Sequence, residues 1–217
     1  MNWKKFSLAA AAAGTLYTAH ADRIVPAEIA NESPCPLVII ANQPSDLNVL
    51  PQEPAVAVFA KDEKNIRVVV DMTDSDVLSE SASDQTLLHK TGDAVQIFIS
   101  PENDTRLWEL MLDAANRKSC FFHWGPGRMF YPAATEKPPV NISAVAVKTA
   151  TGWKADVTFP AAEVAARQKL PADTCWRIMV VRYNYGRDLP RRELSCYPQA
   201  VRNTSDPTRF GRLTGAK

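Results

Sequence analysis

The sequence predicts an all-β protein, a two-sheet antiparallel β-sandwich of the jelly-roll or immunoglobulin-like kind with one short helix. Short segments alternate apolar and polar residues with a period of two, as half-buried strands do. Turn-forming residues separate these segments. The chain also contains sixteen prolines among 217 residues, which argues against long helices. Strands of this number and length are typically arranged in two packed sheets.

Ten strands are predicted in chain order, at residues 37–42, 55–61, 66–72, 94–100, 107–114, 119–124, 141–148, 153–159, 176–183 and 192–197. Turn signals such as Gly92-Asp93 lie between them. The one predicted helix covers 161–169 and begins just after Pro160, where proline is tolerated. The longest irregular segments cover 73–91 and 125–139. Loops of this length commonly carry function.

The first 21 residues have the features of a secretory signal peptide. Lys4 and Lys5 supply positive charge, residues 6–17 are apolar but too short to span a bilayer, and Ala19-His20-Ala21 fits the cleavage rule. We therefore expect a mature chain of residues 22–217, secreted or periplasmic. Its length suits a single domain. The alternative is an uncleaved signal anchor.

The charge balance limits the classes of partner. The full sequence has 25 basic and 24 acidic residues, and loss of Lys4 and Lys5 leaves 23 and 24. Nucleic acid and anionic membrane surfaces both require a basic footprint, which this balance does not provide. We therefore expect neither as a partner.

The four cysteines of an exported chain predict two disulfides. Cys175 and Cys196 lie near the ends of the last predicted hairpin, at about equal distance from its turn, and opposed strand residues can be bridged when the register allows. This pairing leaves Cys35 with Cys120. The alternative is that the cysteines are free thiols that pack as small apolar side chains.

The sequence contains no recognisable catalytic motif. The expected mature chain has two histidines, His89 and His123, and no Gly-x-Ser-x-Gly segment in which a serine could be activated. Carboxylates are numerous, but no spacing singles out a glycosidase pair. We therefore predict a protein without enzymatic activity and assign no catalytic residue.

Aromatic and polar residues instead suggest a binding site. Sugar recognition combines aromatic surfaces with convergent polar groups. Trp124 and Tyr131, together with Phe130, lie around a Gly-Pro-Gly turn and could stack on a ligand. The alternative is that Trp124 ends a strand in the core and that the other two rings pack their loop down.

Polar side chains also occur within strands that are otherwise apolar, at Gln96, Glu109 and Arg182. A half-buried arginine requires a carboxylate or a hydroxyl-rich ligand. Arg182 could therefore hold ligand hydroxyls together with Gln96 and Glu109. Alternatively, it pairs with Glu109 or Asp156 and closes one end of the sandwich, because buried charges are usually paired.

Several motifs in the last third of the chain share their order and spacing with a known family. They are Gly-Trp-Lys-Ala-Asp-Val-Thr-Phe-Pro from residue 152, Cys-Trp-Arg-Ile-Met-Val-Val-Arg-Tyr from 175, Glu-Leu-Ser-Cys-Tyr-Pro from 193 and Asp-Pro-Thr-Arg-Phe-Gly-Arg-Leu from 206. This part of the chain resembles family 9 carbohydrate-binding modules and related secreted proteins. The resemblance extends over about residues 60–213. It implies a sandwich that binds an oligo- or polysaccharide without catalysis, with Phe210-Gly211 holding the C-terminal tail.

The resemblance also implies site residues. Gln96 lies in Gly-Asp-Ala-Val-Gln-Ile-Phe-Ile, where the family has glutamate, and Trp108 with Glu109 lies in Leu-Trp-Glu-Leu. In the family such strand residues, including the arginine matched by Arg182, can face the sugar. Two positions depart from the pattern. Cys196 replaces a family tryptophan, and Met179 replaces a family asparagine.

These departures leave two other interpretations open. One is an envelope scaffold domain that has lost sugar binding. The other is an electron-transfer domain holding a b-type haem, because related sandwiches do so with axial Met and His ligands. The candidates for those ligands are Met72, Met111, Met129, Met179, His89 and His123. An exported enzyme is a further candidate partner for a free-standing module.

An acidic segment follows the third predicted strand. Asp71, Asp74 and Asp76 are the candidate ligands of a structural calcium ion, with Glu80 and Asp84 nearby. Calcium takes six to eight oxygen ligands, and family 9 modules can carry such ions. The alternative is a solvated acidic loop. No other cofactor is expected.

Overall fold

Two antiparallel sheets pack face to face, which confirms the predicted sandwich. The structure is a computed structural model that describes residues 28–41, 47–104, 106–124, 142–171, 173–186, 192–200, 204 and 206–214; for residue 124 it describes the backbone alone. The expected signal peptide lies outside these residues. Within the described chain, no helix is both long and apolar enough to cross a membrane.

Thirteen strands are described, numbered here in chain order. They are β1 (Glu28–Ile29), β2 (Pro34–Pro36), β3 (Val38–Ile39), β4 (Ala55–Lys61), β5 (Ile66–Thr73), β6 (Ala94–Pro101), β7 (Arg106–Asp113), β8 (Lys118–Trp124), β9 (Ser143–Lys148), β10 (Gly152–Phe159), β11 (Trp176–Asn184), β12 (Glu193–Tyr197) and β13 (Gly211–Leu213). Helix α1 (Ala161–Arg167) follows β10, and single 3-10 turns cover Leu88–Lys90 and Pro207–Arg209. The ten predicted strands all correspond to observed ones, whereas β1, β2 and β13 were too short to be predicted.

The larger sheet has the order β1-β13-β11-β6-β7-β8, and β12 joins β11 to β3. Strands β12 and β13 share one edge of β11, pairing with its C-terminal and N-terminal halves. The smaller sheet has the order β2-β4-β5-β10-β9. Most neighbours are antiparallel, but β1 and β13 run parallel. The large sheet therefore carries four long strands side by side, β11, β6, β7 and β8, with β8 at its edge.

The main core lies between the sheets and is rich in aromatic rings. Trp108, Phe159 and Trp176 form mutual edge-on contacts with centroid separations of 5.5–6.1 Å, a favoured geometry for aromatic pairs. Trp108 is 1% exposed and also packs on Phe122. The expectation that Trp108 contacts a ligand is therefore wrong, because its ring faces the other sheet and is covered by it.

Arg182 also points inward, between the sheets. It is 1% exposed, and its guanidinium donates to the backbone oxygens of Glu53 and Thr73, both at 2.6 Å, and to Asn184 Oδ1 at 3.0 Å. Its Nη2 lies 3.5 Å from Oδ2 of Asp74. Burial lowers the pKa of the guanidinium, and the Asp74 charge opposes this effect. Arg182 thus joins β11 of the large sheet to the end of the β4–β5 pair at which β4 begins and β5 ends.

The expected partners of Arg182 were wrong. Glu109 lies on the opposite face of the large sheet, because it alternates with the inward Trp108 and Leu110. Asp156 belongs to the small sheet, where Arg67 forms a two-bonded ion pair with it. The expectation that Arg182 holds ligand hydroxyls with Gln96 and Glu109 is wrong, because its side chain is buried on the opposite face of the sheet. The alternative of a paired arginine fits the structure, but the carboxylate is that of Asp74.

The described structure also corrects the disulfide prediction, because all four cysteines carry free thiols. In the β11–β12 pair, Cys196 stands opposite Val181. Cys175, just before β11, lies six residues before Val181 in the chain. At the usual rise of a strand, this places it about 20 Å from Val181 and its partner Cys196. Cys35 lies on β2 of the small sheet and Cys120 on β8 of the large one, paired with Ala57 and Leu110 respectively. Neither pair is placed for bridging.

The Arg182 contacts generate a stability prediction. Arg182→Met should lower the free energy of unfolding by about 3 kcal/mol, since it leaves Asp74 buried without its cation. Urea denaturation followed by far-ultraviolet circular dichroism measures this change. Arg167→Met is the matched control, because it removes an exposed i,i+4 ion pair with Glu163, which is worth about 0.5 kcal/mol. Equal losses in the two variants would contradict the structural role of Arg182.

Candidate functional site

The outer face of the large sheet carries four hydrogen-bonded polar side chains, here called the polar row: Tyr183, Gln96, Glu109 and His123. They come from β11, β6, β7 and β8 in spatial order. Tyr183 donates its hydroxyl to Gln96 Oε1 at 2.8 Å, and Gln96 Nε2 donates to Glu109 Oε1 at 2.5 Å. Nε2 of His123 lies 2.8 Å from Glu109 Oε2. The row therefore crosses four strands as one continuous network.

The register of the sheet explains why these side chains meet. Gln96 stands opposite Val181 on one side and Met111 on the other, so Tyr183 and Glu109 are its diagonal neighbours. Diagonal neighbours on one face are within reach of long side chains. The sequence prediction that Gln96 and Glu109 act together is consistent with this arrangement, since the structure brings them into contact.

Glu109 is the charged centre of the row and is 5% exposed. Both of its oxygens are engaged, one by Gln96 and the other by His123. A buried carboxylate without such partners would be strongly unfavourable. Nδ1 of His123 is also buried, and it has no hydrogen-bond partner among the described residues. The network thus ends in a polar atom that can still accept or donate.

Three further side chains surround Tyr183 and are called the rim: His89, Tyr185 and Arg192. The His89 ring stacks on Tyr183, with centroids 4.8 Å apart. The Arg192 guanidinium lies 5.8 Å from the centroids of both tyrosine rings. It donates to the Tyr185 hydroxyl at 2.8 Å, and that hydroxyl donates to the backbone oxygen of His89 at 2.7 Å. The rim is half-buried, apart from Arg192, which is exposed.

Burial determines the charge states of Tyr183 in the polar row and of His89 in the rim. It raises the pKa of Tyr183 to about 12, so this phenol is neutral over the whole physiological range. Burial lowers the pKa of His89, although the negative charge of Glu109 acts in the opposite direction. The imidazole of His89 is therefore neutral at neutral pH. Arg192 is thus the permanent positive charge of the rim.

Apolar clusters flank the polar row on both sides. On one side, Phe98 and Leu107 pack with Phe210 of the C-terminal tail. This contact agrees with the predicted role of the tail. On the other side, Met111 packs with Leu88 of the 3-10 turn. The row is consequently a narrow polar strip between two apolar clusters, buried at Gln96, Glu109 and His123 and half-buried at Tyr183.

The remaining candidate residues are placed as follows. Trp124 ends β8, opposite Arg106, and its side chain is not described. Tyr131, with Phe130, lies outside the described residues. Cys196 and Met179, the two departures from the family pattern, are buried on the outer face beneath the tail cluster. The aromatic part of the predicted site is thus left open. Of its polar part, Gln96 and Glu109 are in contact, whereas Arg182 lies on the inner face of the sheet.

Sequence reasoning missed His123, Tyr183 and the rim. The alternation of side chains along β8 did contain a signal for His123. His123 and Phe121 point to the same outer face, and Phe121 stands opposite Glu109. Tyr183 and Tyr185 also sit two residues apart at the end of a strand. These residues are far from Gln96 in the sequence, and only the strand order shows that they lie beside it.

The acidic segment forms a cluster that differs from the predicted one. Carboxylate oxygens of Glu53, Asp74 and Asp76 lie within 4.8 Å of one another. Asp71 is not among them, because it faces outward on β5, where it stands opposite Lys154 of the neighbouring strand β10. The prediction was therefore wrong for Asp71 and missed Glu53, which is distant in sequence.

The cluster combines three carboxylates with a buried guanidinium, since Arg182 lies within 4.0 Å of Glu53 and Asp74. Burial raises the pKa of Asp74, and the Glu53 charge adds to the rise. Oδ2 of Asp74 is buried and has no hydrogen-bond partner in the described chain. Carboxylate oxygens are the donors that a hard cation such as calcium takes.

The haem alternative is not supported by the histidine geometry. Nδ1 of His89 is in direct contact with Sδ of Met111 at 3.2 Å, so no macrocycle fits between this pair. Nε2 of His123 is engaged by Glu109. Met72 and Met179 are fully buried by packing.

Two hollows lie elsewhere on the described molecule. One, of about 480 Å³, opens between the sheets at the β8–β9 edge and is lined mainly by apolar side chains such as Val95, Ile97 and Leu110. The other, of about 670 Å³, lies on the outer face of the small sheet and has no aromatic residue in its described lining. Neither combines rings with convergent polar groups as the polar row and rim do.

Comparison with known proteins was informative at the level of structure. No protein-family model matches the sequence, and no curated protein matches it. The fold occurs in carbohydrate-binding proteins. A Bacteroides uniformis protein whose name proposes carbohydrate binding has a TM-score of 0.62 and 15% identity, over 85% of this chain and 86% of that one.

Two structures of a family 9 carbohydrate-binding module from Caldicellulosiruptor kristjanssonii are also similar. The glucose complex has a TM-score of 0.54 and 12% identity, over 83% of this chain and 85% of the module. The cellotriose complex has a TM-score of 0.50 and 14% identity, over 88% and 94%. These similarities establish the shared sandwich fold. At such low identity the ligand has to be argued from the side chains of this chain.

Proposed function

We propose that this protein is a non-catalytic saccharide-binding module whose ligand site is the polar row with its rim. The observation that carries the proposal is the hydrogen-bonded network Tyr183–Gln96–Glu109–His123 on the outer face of the large sheet. Planar amide, carboxylate and imidazole groups are the usual partners of sugar hydroxyls. The rim supplies aromatic surface beside them, as in other saccharide pockets.

The rigidity of the network supports a binding role. Gln96 is fixed at both ends of its amide, by Tyr183 and by Glu109. A ligand that meets pre-oriented donors and acceptors loses less free energy to ordering of side chains. The similarity to modules that were crystallised with glucose and cellotriose also supports an oligo- or polysaccharide ligand.

The similarity to carbohydrate-binding modules supports a non-catalytic role. A histidine base beside a carboxylate resembles part of a catalytic triad, but such a base must also contact a nucleophile. Nδ1 of His123 has no partner in the described chain, so no described serine, threonine or cysteine is bonded to it. The N-terminal sequence supports export, either to the periplasm or out of the cell.

Binding to a defined saccharide tests the proposal. A glycan array with the purified protein should identify ligands, and titration calorimetry with cellotriose or the best array ligand should measure their affinity. Glu109→Gln should weaken binding about tenfold, because a hydrogen bond to a charged group is worth about 1.5–3 kcal/mol. Tyr185→Leu, which changes the rim without touching Glu109, should also weaken binding.

Asp71→Asn is the matched control, since it removes a carboxylate from the exposed face of the small sheet. Its affinity should equal that of the unaltered protein. Folded protein that binds no saccharide would contradict the proposal and favour the scaffold interpretation. Affinities lost equally in Glu109→Gln and Asp71→Asn would place the ligand elsewhere.

We also propose that Glu53, Asp74 and Asp76 hold a structural calcium ion. At 100 times its Kd, calcium should stabilise the chelator-treated protein by about 2.7 kcal/mol, a rise of several degrees in Tm. Asp76→Asn should abolish this rise, whereas Asp71→Asn should retain it. Thermal denaturation with calcium, magnesium and chelator measures the effect. A Tm that does not respond to calcium would rule the site out.

A further inference from the structure

We propose that the site selects acidic saccharides, in which a uronic acid carboxylate binds Arg192 while ring hydroxyls meet the polar row. This inference rests on the proposed function and specifies its ligand class. Arg192 is exposed, and its guanidinium lies over the ring of Tyr183, at the β11 end of the polar row.

Arg192 differs from most arginines of the described chain in its partners. Seven others have a carboxylate within 4.0 Å, namely Arg67, Arg106, Arg167, Arg177, Arg182, Arg209 and Arg212. For Arg192 the described residues supply no carboxylate. Its contacts are instead the two tyrosine rings and the hydroxyl of Tyr185.

These contacts hold the guanidinium in place without neutralising it. Cation–π contacts with Tyr183 and Tyr185 restrict the position of the side chain. The Tyr185 hydroxyl takes one N–H of Arg192 and is itself fixed, since it donates to the backbone of His89. No described residue accepts from the other N–H groups of Arg192, and the planar fork of a guanidinium matches the two oxygens of a carboxylate.

The neighbouring charges favour an anion at the rim and hydroxyls deeper in the site. Beside Arg192, burial raises the pKa of Tyr183 to about 12 and lowers the pKa of His89. The negative charge of Glu109 lies deeper, where Gln96 and His123 already satisfy it. An anionic group would therefore be repelled from the row and attracted to Arg192. A uronic acid carries both kinds of group on one pyranose ring.

Sulfate esters are the other common anionic groups of saccharides, and a tetrahedral oxyanion can also accept two N–H bonds from a guanidinium. The experiment therefore includes both groups, so that a preference for charge alone can be separated from recognition of the carboxylate. Sulfate binding as tight as uronate binding would overturn the carboxylate assignment.

Calorimetric titration with trigalacturonate, its fully methyl-esterified form, a sulfated trisaccharide and neutral cellotriose tests the inference. The unaltered protein should bind trigalacturonate at least tenfold more tightly than the neutral ester. Arg192→Gln should reduce affinity for trigalacturonate about tenfold or more and change affinity for neutral ligands less than threefold. Arg192→Lys should be intermediate, since it keeps the charge but loses the planar fork.

Arg167→Gln serves as the matched control, because Arg167 lies on helix α1 and away from the site; it should leave every affinity unchanged. Equal affinity of the unaltered protein for trigalacturonate and its ester would overturn the inference and leave the proposed function intact. Equal losses for acidic and neutral ligands in Arg192→Gln would also overturn it. If none of the four saccharides binds, this inference is overturned, and the glycan array decides separately whether the proposed function stands.

Discussion

The buried guanidinium of Arg182 is the contact on which the rest of the structure depends. It donates to the backbone oxygens of Glu53 and Thr73, at one end of the β4–β5 pair, and forms an ion pair with Asp74, so it fixes β11 against the small sheet. A slip of β11 by one residue would turn Arg182 outward and bring Tyr183 into the core. The register that keeps the arginine inside therefore also keeps Tyr183 on the outer face.

The outer face follows from this register. Tyr183, Gln96, Glu109 and His123 can form one network because β11, β6, β7 and β8 hold their diagonal neighbours within reach. The C-terminal tail and the 3-10 turn cover the apolar side chains on either side of the row. What remains accessible is the end formed by Tyr183 and the rim, which is where a ligand can enter. The inner face provides stability, and the outer face provides the binding chemistry.

Much of this architecture could be predicted from the sequence, but the facing of some key residues could not. Period-two alternation located the strands, and polar residues within them marked Gln96 and Glu109. The same pattern also marked Arg182, and it could not reveal which face Arg182 occupies, because β11 is apolar on both faces. Equal distance from a turn likewise suggested a Cys175–Cys196 bridge, whereas the actual register pairs Cys196 with Val181. Strand register is a tertiary property, set by contacts such as those of Arg182.

The position of the ligand on the large sheet is the central claim, and nuclear magnetic resonance tests it most directly. Proton–nitrogen correlation spectra of the ¹⁵N-labelled protein, titrated with a saccharide that it binds, report which amides respond. The account predicts shifts concentrated on β6, β7, β8 and β11 and around residues 89, 185 and 192. It predicts none on the outer face of β5, β9 and β10. Shifts confined to that face, or to the hollow between the sheets, would contradict it.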